Sequence, residues 1–92
     1  MEIHFYLDPQ TGQPHIHNHG ITEDEVHQIF KQLGEDRPAA DGARIAIGQT
    51  ESGRYLRVIY VPNPDNDSTF VVTAYELRSK QLKAYRRRRK AK

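Results

Sequence analysis

Hydrophobic and polar residues alternate in four short stretches of the chain, and each stretch predicts a β-strand. These stretches contain β-branched and aromatic residues, which are typical of strands, and they are separated by turns rich in Gly, Pro, Asp and Asn. A short turn at residues 51–53 makes the second and third stretches a hairpin. The predicted strands cover residues 3–7, 43–50, 54–61 and 69–76.

A different spacing, typical of a helix, predicts one amphipathic helix at about residues 22–33. Thr22 and Glu25 form a capping box, in which each side chain accepts a hydrogen bond from the other residue's backbone amide. Gly34 ends the pattern. The apolar face of this helix consists of Val26, Ile29, Phe30 and Leu33.

A second helix is predicted from about Lys80, with Ser79 as its cap and Leu82 and Tyr85 as its apolar contacts. Residues 88–92 have nothing to bury and are expected to form a disordered basic tail. Residues 35–42 form a polar loop in this interpretation, and residues 13–20 are compatible with a helical turn or with an extended segment.

The order of these elements predicts one α+β domain over residues 1–92, built on a small antiparallel sheet of about four strands. The helices would pack on one face and leave the other open to water. Alternation assigns Ile45, Ile47, Leu56, Val58, Tyr60, Phe70, Val72 and Ala74 to the covered face. It assigns Arg44, Ala46, Gly48, Tyr55, Arg57, Ile59, Val71, Thr73 and Tyr75 to the open face.

Composition narrows the cellular setting. The chain has no cysteine, which favours a reducing compartment over secretion of a small domain. It also lacks a stretch of ~20 apolar residues and a signal-peptide pattern at its N-terminus. We therefore expect a cytoplasmic protein that does not associate with membranes.

Charge is divided unequally along the chain. Residues 77–92 hold nine Lys and Arg and no acid, whereas residues 1–76 hold five bases and all twelve acids. The net charge of +2 is therefore a cancellation between a +9 end and a −7 body. A polyanion would be attracted to one end, which makes RNA the first candidate ligand. A solubilising tail and an arm that docks an acidic protein fit the same charges.

The predicted open face carries residue types that can bind and cleave RNA. Arg44 and Arg57 can hold phosphates, Tyr55 and Tyr75 can stack on bases or donate a proton, and Arg78 follows at the same edge. RNA is cleaved without a metal when its own 2′-OH attacks the adjacent phosphorus. Ordinary exposed strand residues would give the same pattern.

Three histidines, His15, His17 and His19, precede the first helix. In an extended segment their imidazoles point to one side and could hold a transition metal. They also fit exposed or packing histidines, and His17 or His19 could act as the general base for RNA cleavage. No cofactor is predicted.

Two stretches of the chain resemble a known family. They are residues 19–26, His-Gly-Ile-Thr-Glu-Asp-Glu-Val, and residues 53–60, Gly-Arg-Tyr-Leu-Arg-Val-Ile-Tyr, which continue to Thr73-Ala-Tyr75 and to the basic run after Tyr85. The order and spacing of these motifs resemble the small BrnT-like toxins and an uncharacterised neighbouring family. The resemblance extends from about Phe5 to the C-terminus.

This resemblance implies a RelE-like fold and an RNA endonuclease toxin of a type II toxin–antitoxin pair, masked by a small antitoxin protein. The chain departs from the family because it lacks a Lys before His19 and has Glu-Leu-Arg after Tyr75. The catalytic positions carried over are His19, Arg54, Arg57, Tyr75 and Arg78. The remaining predicted RNA contacts are Arg44, Tyr55, Lys83, Arg86, Arg87, Arg88 and Arg89.

Two other functions fit the same residues. One is a non-catalytic RNA- or ribosome-binding module that uses the sheet and the basic end. The other is an interaction protein whose basic helix docks an acidic chain. Cleavage of RNA would distinguish the endonuclease from both alternatives.

Overall fold

The computed structural model describes residues 1–90, which fold into a five-stranded mixed sheet with one α-helix on each face. The α+β class predicted from the sequence is confirmed, with five strands in place of about four. The strands are β1 (Glu2–Phe5), β2 (Leu33–Pro38), β3 (Arg44–Gln49), β4 (Tyr55–Asn63) and β5 (Ser68–Glu76). The helices are α1 (Glu23–Lys31) and α2 (Ser79–Lys90), with short 3₁₀ helices at His15–His19 and Ala40–Gly42.

The strand order in the sheet is β1-β5-β4-β3-β2. β1 runs parallel to β5, and the other neighbours are antiparallel. β1 ends at Phe5, opposite Val71, so the last residues of β5 have no strand on their outer side. The His15–His19 3₁₀ helix contacts β5 instead and brings its histidines to this edge of the sheet.

β2 replaces the first half of the polar loop predicted at residues 35–42. Its sequence, Leu33-Gly-Glu-Asp-Arg-Pro38, has no alternating apolar pattern, because β2 is an edge strand whose side chains are mostly exposed. Distant side chains hold it in place: Arg88 binds Glu35, and Tyr60 donates hydrogen bonds to Asp36. The strand therefore depends on partners that a local pattern does not reveal.

The larger core lies between the sheet and α1. The capping box of Thr22 and Glu25 is present, and Val26 and Ile29 are fully buried, as the sequence predicted. α1 ends at Lys31, two residues earlier than predicted, because Leu33 begins β2. The sheet contributes Ala46, Leu56, Val58, Tyr60, Val71 and Ala74 to this core.

A smaller core on the opposite face lies under α2, and it corrects the predicted sorting of side chains. Ile45 and Ile47 of β3 pack there with Leu77 and Tyr85, because the hairpin pairs Ala46, and not Ile45, with Val58. The face predicted to be open is therefore partly covered by α2.

The predicted positions of Phe70 and Val72 on the covered face are wrong for a related reason. Tyr60 pairs with Val71 and Ile59 pairs with Thr73, so the ladder skips Val72. This bulge moves Val71 into the α1 core, where it is fully buried, and leaves Phe70 exposed.

The basic C-terminus also differs from the sequence-based prediction. α2 begins at Ser79 and continues to Lys90, and the side chain of Gln81 accepts a hydrogen bond from the Arg78 amide. Arg88 and Arg89 are docked on β2, although the sequence predicted a loose tail from residue 88. The last two residues of that predicted tail lie outside the described residues.

Candidate functional site

A groove of about 580 Å³ lies where β5 ends, between the 3₁₀ helix and the start of α2. Its volume is in the range of small-molecule sites in proteins. Three of the five predicted catalytic residues line it, from three different segments of the chain. The lining residues are Asn18, His19, Tyr75, Glu76, Leu77 and Arg78.

His19 reaches the groove because the 3₁₀ helix is anchored at several points. Ile16 is 1% exposed and belongs to the α1 core, and Gly20 ends the helix with a φ of 71°, which favours glycine. The ring of His19 lies 6.1 Å from the ring of Tyr75, measured between centroids. This contact places the imidazole beside the end of β5.

The other two histidines of the segment bind carboxylates and hold the 3₁₀ helix to its neighbours. The Nε2 atom of His17 lies 2.6 Å from Oε1 of Glu23, and this hydrogen bond is the main reason that the pKa of Glu23 is lowered. His15 Nδ1 lies 3.6 Å from Oδ2 of Asp8. A hydrogen bond from the Gln10 amide and another from Asn18 lower the pKa of Asp8.

This arrangement does not bring the three histidines together as ligands. Residues 1–90 contain no group of three His, Cys, Asp or Glu side chains that could hold a metal ion. The rings of His15 and His19 are 5.3 Å apart and edge-on, while His17 is occupied by Glu23. Of the three histidines, His19 is the one that lines the groove.

Arg57 lies next to the groove on the α2 side of the sheet. Its guanidinium carbon is 5.7 Å from the centroid of the Tyr75 ring, which is the range of a cation–π contact. No carboxylate within residues 1–90 forms an ion pair with it. Arg57 is thus a cation that the described fold does not neutralise.

Two buried polar atoms near Arg57 have no hydrogen-bond partner in the described residues. They are Nε of Arg57 and Oγ1 of Thr73, which lie on neighbouring strands of the same sheet face. Buried polar atoms are normally satisfied, and an ordered water between strands is a common way to do so. The sequence pattern predicted Arg57 as a site residue, but it gave no indication that the hydroxyl of Thr73 is buried without a hydrogen-bond partner.

Arg54, the fifth predicted catalytic residue, is not among the residues that line the groove, and its guanidinium binds two carboxylates. Its Nη1 donates to both oxygens of Glu25 and to the Gly20 carbonyl, and its Nη2 donates to Glu76. Burial alone would lower the pKa of Arg54, but the bonds to Glu25 and Glu76 outweigh it and raise the pKa. This arginine joins the hairpin to α1 and to the end of β5.

Some of the predicted RNA-binding residues are bonded within the fold, and others lie on the outward side of α2. Arg44, Arg88 and Arg89 are engaged within the fold, by Asp36, Glu35 and the Gly34 carbonyl respectively. The guanidinium of Arg86 lies 5.3 Å from the Tyr55 ring. The outward side of α2 forms a cationic surface around a shallow depression of about 310 Å³. This depression is lined by Lys83, Arg86, Arg87 and Lys90.

Glu76 is the ionisable residue among the three groove residues that were not predicted from the sequence. Its side chain is 54% exposed, and it follows Tyr75 directly at the end of β5. The sequence places this acid between the predicted catalytic residues Tyr75 and Arg78. Electrostatic attraction to RNA, however, selects only basic residues as candidates.

Comparison with known proteins identifies no relative: no family model, curated protein or solved structure matches the chain. Within residues 1–90, neither helix has the length and apolar character needed to cross a membrane.

Proposed function

We propose that this protein is a metal-independent RNA endonuclease that acts as the toxin of a type II toxin–antitoxin pair. The observation that carries the proposal is the groove at the end of β5. It combines an imidazole, a phenol and a guanidinium, His19, Tyr75 and Arg78, with the unneutralised Arg57 stacked on Tyr75.

These groups supply what cleavage by the 2′-OH requires. The phosphate must be held while negative charge develops on it, and arginine donors stabilise that charge. Protons must leave the 2′-OH and reach the 5′-oxygen, and histidine is the side chain best suited to proton transfer near neutral pH. In this proposal Arg57 and Arg78 bind the phosphate, His19 transfers a proton, and Tyr75 stacks on a base or serves the leaving group.

The cationic surface of α2 supports RNA as the substrate. Lys83, Arg86, Arg87 and Lys90 project on one side of α2, and none of them forms an ion pair with a carboxylate of residues 1–90. A phosphate backbone attracted to this surface would be repelled by the acidic body. The RNA would therefore reach the groove along α2.

The partner and the compartment in this proposal come from the resemblance to BrnT-like toxins and from composition. An antitoxin protein would cover the cationic surface of α2 and the groove, and so prevent RNA from entering. The absence of cysteine fits action in the cytoplasm.

The test is cleavage of RNA by purified protein, together with growth after induced expression. The wild type is expected to cleave RNA and arrest growth, whereas Arg57→Ala and His19→Ala are expected to lose activity by about 10²-fold or more. Arg44→Ala is the matched control, because Arg44 is paired with Asp36 on the other face of the sheet. Full-length protein that binds RNA and leaves it intact would contradict the endonuclease assignment.

The contact between Arg86 and Tyr55 favours a second candidate, a non-catalytic RNA-binding module. A guanidinium beside a half-buried aromatic ring can bind unpaired nucleotides away from the groove. This function predicts salt-sensitive RNA binding that survives His19→Ala and is lost in Arg86→Ala.

A further inference from the structure

We propose that Glu76 is the general base of the groove and that His19 is its general acid; this assignment rests on the proposed endonuclease function. Both residues line the same groove, but they come from different elements. Glu76 is the last residue of β5, and His19 ends the 3₁₀ helix. Cleavage by the 2′-OH needs one proton acceptor and one proton donor, and this pair provides both.

Glu76 has the most exposed side chain of three nearby glutamates, at 54% against 45% for Glu23 and 16% for Glu25. Glu25 is occupied by Arg54 and by the Thr22 amide of the capping box. Glu23 is bound to His17. Glu76 contributes the only carboxylate to the groove lining within residues 1–90, and its side chain is 54% exposed.

Arg54 orients Glu76 without enclosing it. The Nη2 atom of Arg54 donates to Oε1 of Glu76 at 3.3 Å, while Nη1 of the same guanidinium is fixed by Glu25. Because Glu25 fixes the guanidinium, Arg54 can hold the carboxylate of Glu76 in place. Arg54 is therefore a positioning residue, a role that differs from the catalytic role implied by the resemblance to BrnT-like toxins.

The charges around the pair are compatible with an anionic substrate. Glu76 is paired with Arg54 of the hairpin, and Arg78, just before α2, lines the same groove; both cations offset the repulsion between Glu76 and a phosphate. His19 faces the ring of His15 on its own helix and the ring of Tyr75 on β5.

The proposed step conserves atoms and electrons. The carboxylate of Glu76 takes the proton of the 2′-OH, and the 2′-oxygen forms a bond to phosphorus. The bond from phosphorus to the 5′-oxygen breaks, its electron pair stays on that oxygen, and His19 donates the proton that completes the hydroxyl. The products are a 2′,3′-cyclic phosphate and a 5′-hydroxyl end.

The experiment is the pH dependence of kcat/KM for cleavage of a short single-stranded RNA by the full chain. The wild type is expected to show a bell-shaped profile, with the acid limb due to the base and the alkaline limb due to the acid. Glu76→Gln should lower the maximum by about 10²-fold or more and abolish the acid limb. Glu76→Asp should keep the acid limb, and His19→Gln should lose the alkaline limb.

Glu51→Gln is the matched control, because it makes the same chemical change on an exposed loop outside the groove. Thermal unfolding of each variant shows whether it remains folded. A Glu76→Gln enzyme that is folded and keeps the acid limb overturns the role of Glu76 and leaves the proposed function intact. A wild type that releases no 2′,3′-cyclic phosphate overturns both.

Discussion

Arg54 and Glu25 form a two-pronged ion pair: Nη1 of Arg54 lies 3.0 Å from Oε1 and 2.8 Å from Oε2 of Glu25. The same carboxylate accepts the Thr22 amide at the start of α1. The hairpin between β3 and β4 is thereby joined to the first turn of the helix that covers the main core. We therefore expect Arg54 to contribute to the stability of the fold.

We expect Arg54→Ala to lower the free energy of unfolding by about 2 kcal/mol, since it removes charge-assisted hydrogen bonds that are two-thirds or more buried. Urea unfolding measures this change. A double-mutant cycle with Glu25→Gln should give a coupling energy of about 1 kcal/mol or more. Equal stability of Arg54→Ala and wild type would show that the pair contributes nothing.

Thr50 is buried and Thr73 is half-buried, and their hydroxyl oxygens differ in their hydrogen-bond partners. Oγ1 of Thr73 has none in the described residues, whereas Oγ1 of Thr50 accepts the Arg54 amide at 3.1 Å. We expect Thr73→Val to leave the free energy of unfolding unchanged or to raise it, because an unsatisfied hydroxyl is replaced by a methyl. Thr50→Val is the control and should cost about 1–3 kcal/mol, because it leaves the Arg54 amide unpaired. A similar loss in both variants would mean that Thr73 has a partner, such as an ordered water.

The arginines of α2 should separate by function. Arg87 projects from the cationic surface, while Arg88 binds Glu35 on β2 at 2.8 and 3.0 Å. We expect Arg87→Ala to weaken RNA binding and to reduce the slope of log K against log salt by about 0.7, the value for one lost phosphate contact on single-stranded RNA. Arg88→Ala, the matched control, should leave that slope unchanged and lower stability instead. Equal effects of the two substitutions on the slope would contradict this division.

Local interactions explain which parts of the fold could be predicted from the sequence. The capping box of Thr22 and Glu25 involves residues three positions apart, so the start of α1 was visible in the sequence. β2 was not visible, because its carboxylates are bound by Arg88 and Tyr60, which are distant in sequence. The register of the hairpin likewise decides which face of the sheet receives Ile45.

The candidate site shows the same limit. Residue chemistry was sufficient to single out His19, Tyr75 and Arg78, and the fold brings them to one groove. It was not sufficient to separate Arg54 from Arg57, because the carboxylates that bind Arg54, those of Glu25 and Glu76, are distant from it in sequence.

The last prediction concerns pH and the hydrogen bond between His17 and Glu23, which fixes the 3₁₀ helix to α1. This bond lowers the pKa of Glu23 from its ordinary value of 4.5, so folding favours the ionised carboxylate. The resulting stabilisation is complete above about pH 4.5, the ordinary pKa that Glu23 has in the unfolded chain, and is lost as pH falls through the lowered pKa of the folded state. Because the carboxylate is 45% exposed, the effect is that of a surface pair.

We therefore expect Glu23→Gln to lower the melting temperature by about 2–4 °C at pH 7 and by less at pH 3, where wild-type Glu23 is itself becoming protonated. Calorimetry at the two pH values measures this difference. Glu51→Gln, an exposed glutamate on the β3–β4 turn, should show no such dependence. A deficit of Glu23→Gln that is as large at pH 3 as at pH 7 would show that the ionised carboxylate does not hold the 3₁₀ helix.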